Sequence, residues 1–127
     1  MRKLKFSLFS PGVVVCRLEP DAALPEWATR GAFFSVTRTK EELSIVCAEE
    51  QVPAGVQHSG RFVALKLQGP FAFSETGVVS SFVAPLAEAG VPVFVVSTFD
   101  TDYVLVPEEA WGWALSVLKQ AGHEIVS

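Results

Sequence analysis

Histidine and cysteine are scarce in this chain, and each scarcity removes a class of chemistry. The two histidines, His58 and His123, have no Cys or carboxylate at ligand spacing. Both rings read as surface residues, and no metal centre is expected. The two cysteines, Cys16 and Cys47, each sit in an apolar strand pattern. Buried free thiols in a reducing cytoplasm fit them better than a disulfide or a metal pair. Ten Lys and Arg stand against fourteen Asp and Glu, for a net charge of −4 with no basic stripe. That balance argues against nucleic acid as a partner, because phosphate binding needs clustered cations. No apolar run approaches the ~20 residues that span a bilayer. The opening "MRKLKFSLFSPGVVVC" imitates a leader peptide, but Pro11 and Gly12 break its apolar run and Val13 to Val15 are too large for a cleavage site. It reads instead as two strands around a Ser-Pro-Gly turn. The sequence also lacks a nucleophile–base pair, and "GPFAFSETG" lacks the Gly-Lys of a phosphate loop. Neither catalysis nor a cofactor is expected.

What is present is apolar. Half the residues are hydrophobic and mean hydropathy is +0.36, enough for a substantial core. The spacing predicts a strand in "RFVALKL", then a loop, then a helix in "GVVSSFVAPLAEAG" with Val78, Val79, Phe82, Val83 and Leu86 at helical intervals. Ser74 is its expected N-cap and Gly90 its stop, and Pro85 inside it removes a hydrogen bond. "VPVFVVS" and "DYVLV" read as strands. Pro107 then opens a second helix, with Ala110, Trp113, Ala114, Val117, Leu118 and Ala121 on one apolar stripe and Trp111 off it. Gly122 ends that helix and "HEIVS" closes as a short strand. The order β-α-β-β-α-β over residues 61–127 is the ferredoxin-like split βαβ unit, an α+β fold with two helices on one face of a four-stranded antiparallel sheet. Residues 1–60 offer four strand candidates, a short helix in "PDAALPEWATRG" and one helical turn in "TKEE" capped by Thr39. They read as a reduced, helix-poor unit.

The stretch "VFVVSTFDTDYVLVP" raises a functional question. Six residues, Ser97 to Asp102, interrupt two apolar strands without a Gly or Asn to make a tight turn. Three segments, "GAFFSVTRTKEELSIVCAEE", "GPFAFSETGVVSSFVAPLAEAGVPVFVVSTFDTDYVLVPEE" and "ALSVLKQAGHEI", resemble the ACT-domain proteins related to the eukaryotic cytosolic arginine sensors. They are close to small stand-alone bacterial members with two tandem ACT-like units. The resemblance implies a βαββαβ regulatory module that binds a free amino acid where ACT units meet. Its ligand shell would comprise Glu75, Gly77, Val78, Thr98, Phe99 and Asp102, with Ser81 matching a contact from the facing unit. The sensors carry more ACT units than this chain has room for. An intramolecular site there becomes, here, a site between subunits of a homodimer.

The chemistry is coherent without the resemblance. A helix N-terminus offers unpaired amides at Gly77 and Val78 to a ligand carboxylate. Asp102 and Glu75 suit an ammonium or a cationic side chain, Thr98 can orient the ligand, and Phe99 can cover an apolar stem. Each residue also has a plainer role: Glu75 beside a helix dipole, Gly77 in a turn, Asp100 and Asp102 in local turn bonds, Phe99 in the core. Taken together the residues point to a cytoplasmic amino-acid-binding regulatory module that signals through a second protein or acts as a buffer. The alternative is a ligand-free oligomerisation or protein-interaction module.

Overall fold

The computed structural model describes residues 2–126, so Met1 and Ser127, at the ends of the two expected units, lie outside the described residues. The elements are β1 (Lys5–Leu18), β2 (Ser35–Arg38), β3 (Leu43–Ala48), β4 (Phe62–Leu67), α1 (Val78–Glu88), β5 (Phe94–Ser97), β6 (Asp102–Pro107), α2 (Trp111–Gln120) and β7 (Glu124–Ile125), with 3-10 turns at Glu26–Thr29, Glu49–Gln51 and Glu108–Ala110. Among the described residues no helix is long and apolar enough to cross a membrane. The chain forms two compact units. One joins the segment ending at Ser10 to everything from Val63 onward, and the other is Pro11–Phe62. The first ten residues go with the C-terminal unit, because Leu4 and Phe6 are buried in its core.

In the C-terminal unit the β-α-β-β-α-β order over β4 to β7 is present. Its sheet, however, is not four strands. The start of β1 enters between β7 and β4: Lys5 and Phe6 pair in parallel with Glu124 and Ile125, and Lys5 O accepts the Gln68 N–H at 2.8 Å. β6 follows β4, and β5 lies at the edge, paired antiparallel with β6. Alternation puts Val63, Leu65 and Leu67 of β4 and Val104 and Val106 of β6 into one core with Phe82, Leu86, Ala114 and Leu118 from the helices. Both helices stop by the same device. Gly90 and Gly122 take left-handed φ of +79° and +94°. The following N–H reaches back to the helix, Val91 to Leu86 O at 2.9 Å and His123 to Leu118 O at 3.0 Å.

That second stop sets His123 inside the core rather than on the surface where it was expected. It is 4% exposed. Pro85 has no N–H, so the carbonyl of Ser81 four residues earlier loses its helical donor. His123 Nε2 stands 2.9 Å from that oxygen, while Nδ1 accepts the Leu4 N–H at 3.0 Å. The imidazole is therefore the neutral form with its proton on Nε2. Trp113, expected in the core, is 56% exposed and donates its indole N–H to Ala89 O at 3.2 Å. The buried stripe runs through the expected Ala114, Val117 and Leu118, and it is the partly buried Trp111 that packs against the core in place of Trp113.

In the other unit β3 is central, antiparallel to β1 from Val13 to Leu18 and to β2. The expected Ser-Pro-Gly turn is absent: β1 runs through it as one strand, and Gly12 absorbs the irregularity at φ +69°. "TKEE" is not helical. It is the β2–β3 turn, where Thr39 Oγ1 accepts the Glu41 and Glu42 N–H groups at 3.1 and 3.3 Å. The short helix expected in "PDAALPEWATRG" is the 3-10 turn Glu26–Thr29, which buries Ala28. Cys16 and Cys47 are both free and buried. They sit diagonally on the inner face, since Cys16 faces Ile45 and Val14 faces Cys47. Burial, reinforced by the neighbouring Cys47, pushes the Cys16 thiol up to about 12. Burial also raises Cys47.

Two outcomes follow. An unfolded Cys16 thiol ionises near 9.0, whereas the folded one stays protonated to about 12, so its stabilising contribution is lost as pH rises through that window. Urea midpoints measured at pH 7.5 and 10.5 should fall further for the native chain than for Cys16→Val. His123→Ala leaves a buried carbonyl and a buried N–H unpartnered and should cost about 2–4 kcal/mol by urea denaturation. In a Pro85→Ala background, where Ser81 O regains its helical donor, the same substitution should cost less.

Candidate functional site

The loop from β4 to α1 is shaped by its own backbone and by Glu75. The Glu75 carboxylate folds back so that Oε2 accepts the Ala72 N–H at 2.6 Å, and the Glu75 N–H donates to Ala72 O at 3.0 Å. Its Oε1 pairs with Arg2 Nη1 at 3.2 Å. Glu75 therefore closes a turn and stands outside α1, and Ser74 does not cap the helix. The cap position belongs to Gly77, at φ +78° and without a side-chain cap. Its carbonyl accepts the Ser81 N–H at 3.1 Å and also the Ser81 hydroxyl. Among the described residues no side chain or turn bond takes the N–H groups of Val78, Val79 and Ser80, which are the unpaired donors of a helix start.

The polar interruption resolves into a four-residue turn. Ser97, the last residue of β5, pairs with Asp102, the first of β6, leaving Thr98 to Thr101 as the connection. The Thr98 N–H donates to Thr101 O at 2.8 Å. The Thr98 hydroxyl donates to the same oxygen at 3.1 Å and accepts the Thr101 N–H at 3.3 Å. These side-chain bonds do what a glycine does in shorter hairpins. The Ser97 hydroxyl donates to Asp102 Oδ1. Two bonds then stitch this hairpin to the neighbouring loop: the Thr101 hydroxyl donates to Leu67 O at 2.7 Å, and the Phe71 N–H donates to Asp100 O at 2.8 Å. A Cβ at Gly69 would stand 2.9 Å from Asp100 O, so only glycine permits this approach.

Between the two loops and the start of α1 lies an open cleft of about 410 Å³. It brings together Glu75, Gly77, Val78, Thr98, Phe99 and Asp102, six of the seven residues expected from the sequence. Ser81 is not among them. It is buried beneath Gly77, its hydroxyl spent on the Gly77 carbonyl, so it cannot reach a facing subunit. Phe99, a core candidate on the plainer reading, is 77% exposed, and it meets the equally exposed Phe73 edge to face with centroids 4.8 Å apart. Phe71, Phe73 and Asp100 also line the cleft and were not expected there. The available signal was two phenylalanines in a Gly/Pro/Ser-rich loop, where no local core explains them. The cleft thus presents helix amides at one side, the Asp100 and Asp102 carboxylates at another and aromatic faces at its lip. That set matches a zwitterion with an apolar or extended stem. Among the described residues no group of three or more His, Cys, Asp or Glu is placed to hold a metal ion.

The Gly77 geometry gives a test. An added Cβ would meet only the Ser81 hydroxyl at 3.8 Å and Arg2 Cδ at 4.0 Å, so space is not the obstacle. Gly77→Ala should still cost about 1–2 kcal/mol in urea denaturation through the left-handed backbone alone.

The family model of the ACT domain matches residues 57–120, and a separate model describing an N-terminal domain matches residues 13–55. A crystal structure of an Agobacterium tumefaciens protein is 40% identical and superposes with a TM-score of 0.93, covering 99% of this chain and 94% of that one. The regulatory subunit of aspartate kinase from Thermus flavus, 12% identical, shares the fold alone, with a TM-score of 0.61 over 94% of this chain and 97% of its own. The human cytosolic arginine sensor for mTORC1 subunit 1 is 36% identical over 58 residues, 46% of this chain and 18% of that protein. The human protein CASTOR3P is 35% identical over 91 residues, 61% of this chain and 56% of its own. The chain thus spans about half the length of one curated relative and under a fifth of the other.

Proposed function

The chain belongs to the ACT-domain family, and on that premise we propose that it is a regulatory module binding a free amino acid in the cleft between α1 and the Thr98–Thr101 turn. The observation that carries this reading is the juxtaposition of unpaired helix amides at Val78 and Val79 with the Asp102 carboxylate around one cleft of amino-acid size. The amides take the ligand carboxylate and Asp102 takes its ammonium or a cationic side chain. Thr98 presents a fixed hydroxyl, and Phe73 and Phe99 cover the stem. Glu75, already paired with Arg2, contributes to the charge of the wall. Ser81 holds Gly77 from beneath.

The exposed Phe73–Phe99 lip leaves the ligand open on one side. A second copy of the chain closing over that lip gives a site at an ACT–ACT interface and makes the working unit a homodimer. The Pro11–Phe62 unit is the reduced, helix-poor counterpart of the first. Its support is the superposition with the aspartate kinase regulatory subunit over 94% of this chain. A module of this kind, cytoplasmic and not itself a catalyst, passes its signal to a second protein. A ligand-free association module would use the same aromatic lip without a small molecule.

A thermal-shift screen of the twenty amino acids separates the two readings. A ligand at about 100 times its Kd stabilises by ~2.7 kcal/mol, a rise of several degrees in Tm. Asp102→Asn keeps an acceptor for Ser97 but loses the charge, and should weaken binding about tenfold or more (~1.4 kcal/mol). If no amino acid raises Tm, the association module is left. Light scattering should give a dimer, and a monomer in saturating ligand removes the interface.

A further inference from the structure

Arg2 stands beside the cleft and touches three parts of it. Its Nη1 lies 3.2 Å from Glu75 Oε1. Its Cζ lies 5.6 Å from the centroid of the Phe71 ring. Its Cδ comes within 4.0 Å of where a Cβ on Gly77 would be. A carboxylate together with an aromatic face is the contact set by which a planar cation is recognised. The carboxylate is held in place independently of Arg2, because Glu75 Oε2 is anchored on the Ala72 N–H. The other two acids of the cleft, Asp100 and Asp102, make no ion pair among the described residues.

We propose that Phe71 and Glu75 form a subsite for a guanidinium-type cation, occupied in the free protein by the chain's own Arg2. Arg2 thereby determines which ligands the cleft accepts. A ligand group that is cationic at this point must displace Arg2, whereas a neutral one leaves it in place. Displacement is feasible because the pair is partly solvated, with side chains 40% and 34% exposed. The ligand side of this inference rests on the amino-acid reading above; the subsite rests only on the contacts of Arg2.

Methylguanidinium is the probe, followed through the Glu75 carboxylate resonance in the full chain. Arg2→Ala should bind it about fivefold or more tightly than the native chain, the fold-change of a ~1 kcal/mol exposed pair. Adding Glu75→Gln should abolish that gain. Arg2→Gln, which keeps a polar side chain, should behave as Arg2→Ala does and guards against a folding defect in one variant. An equal response in native and Arg2→Ala chains, no response in either, or a gain that survives Glu75→Gln overturns the proposal. If no amino acid binds the native chain but methylguanidinium binds Arg2→Ala through Glu75, the subsite stands and the amino-acid reading falls.

Discussion

A missing hydrogen atom organises this molecule. Pro85 cannot donate to the Ser81 carbonyl, and a carbonyl buried in an apolar core without a donor costs free energy on the order of 1–3 kcal/mol. His123 supplies the donor from beyond the end of α2 and takes the Leu4 N–H on its other nitrogen. One neutral imidazole thus links the first strand, the middle of α1 and the entrance to β7. Its ring lies 5.1 Å from that of Phe82, so the polar link is embedded in the core. Ser81 carries the constraint outward. Its N–H and hydroxyl both point at the Gly77 carbonyl, and Gly77 is the left-handed residue from which the amides of α1 face the cleft.

The cleft wall is stiff for a related reason. The Thr98–Thr101 turn is closed by side-chain bonds rather than by glycine, and Thr101 then spends its hydroxyl on Leu67 O. The Phe71 N–H and the Asp100 carbonyl complete the seam. Because the backbone groups are satisfied within the two loops, Phe73, Phe99 and the carboxylate of Asp100 face outward. Turn-building and ligand-facing roles for Thr98 and Asp102 are therefore compatible. Thr98 closes the turn with its hydroxyl and still lines the cleft, and Asp102 accepts one bond from Ser97 and keeps a second oxygen.

Some of this was legible in the residues and some was not. Strand alternation in "RFVALKL", helical spacing of Val78, Phe82 and Leu86, and the stops at Gly90 and Gly122 are short-range signals, and each element formed where its signal lay. The stripe at Ala114, Val117 and Leu118 formed as read, but Trp113 misled because at 100° per residue it falls outside that face, while Trp111 lies close enough to pack on the core. Ser74 misled because Glu75 used its carboxylate to close a turn one residue later.

The residues alone determined the element order of the C-terminal unit and which loops flank α1, since both depend on side-chain periodicity over a few positions. Tertiary structure decided what fills the gaps between elements. Lys5 and Phe6 enter the sheet between β7 and β4, and the Ser-Pro-Gly segment runs on as a strand. His123 turns inward to meet Leu4, 119 positions away. No local pattern encodes such pairings, because they are chosen by which buried donor or acceptor would otherwise stand unpaired.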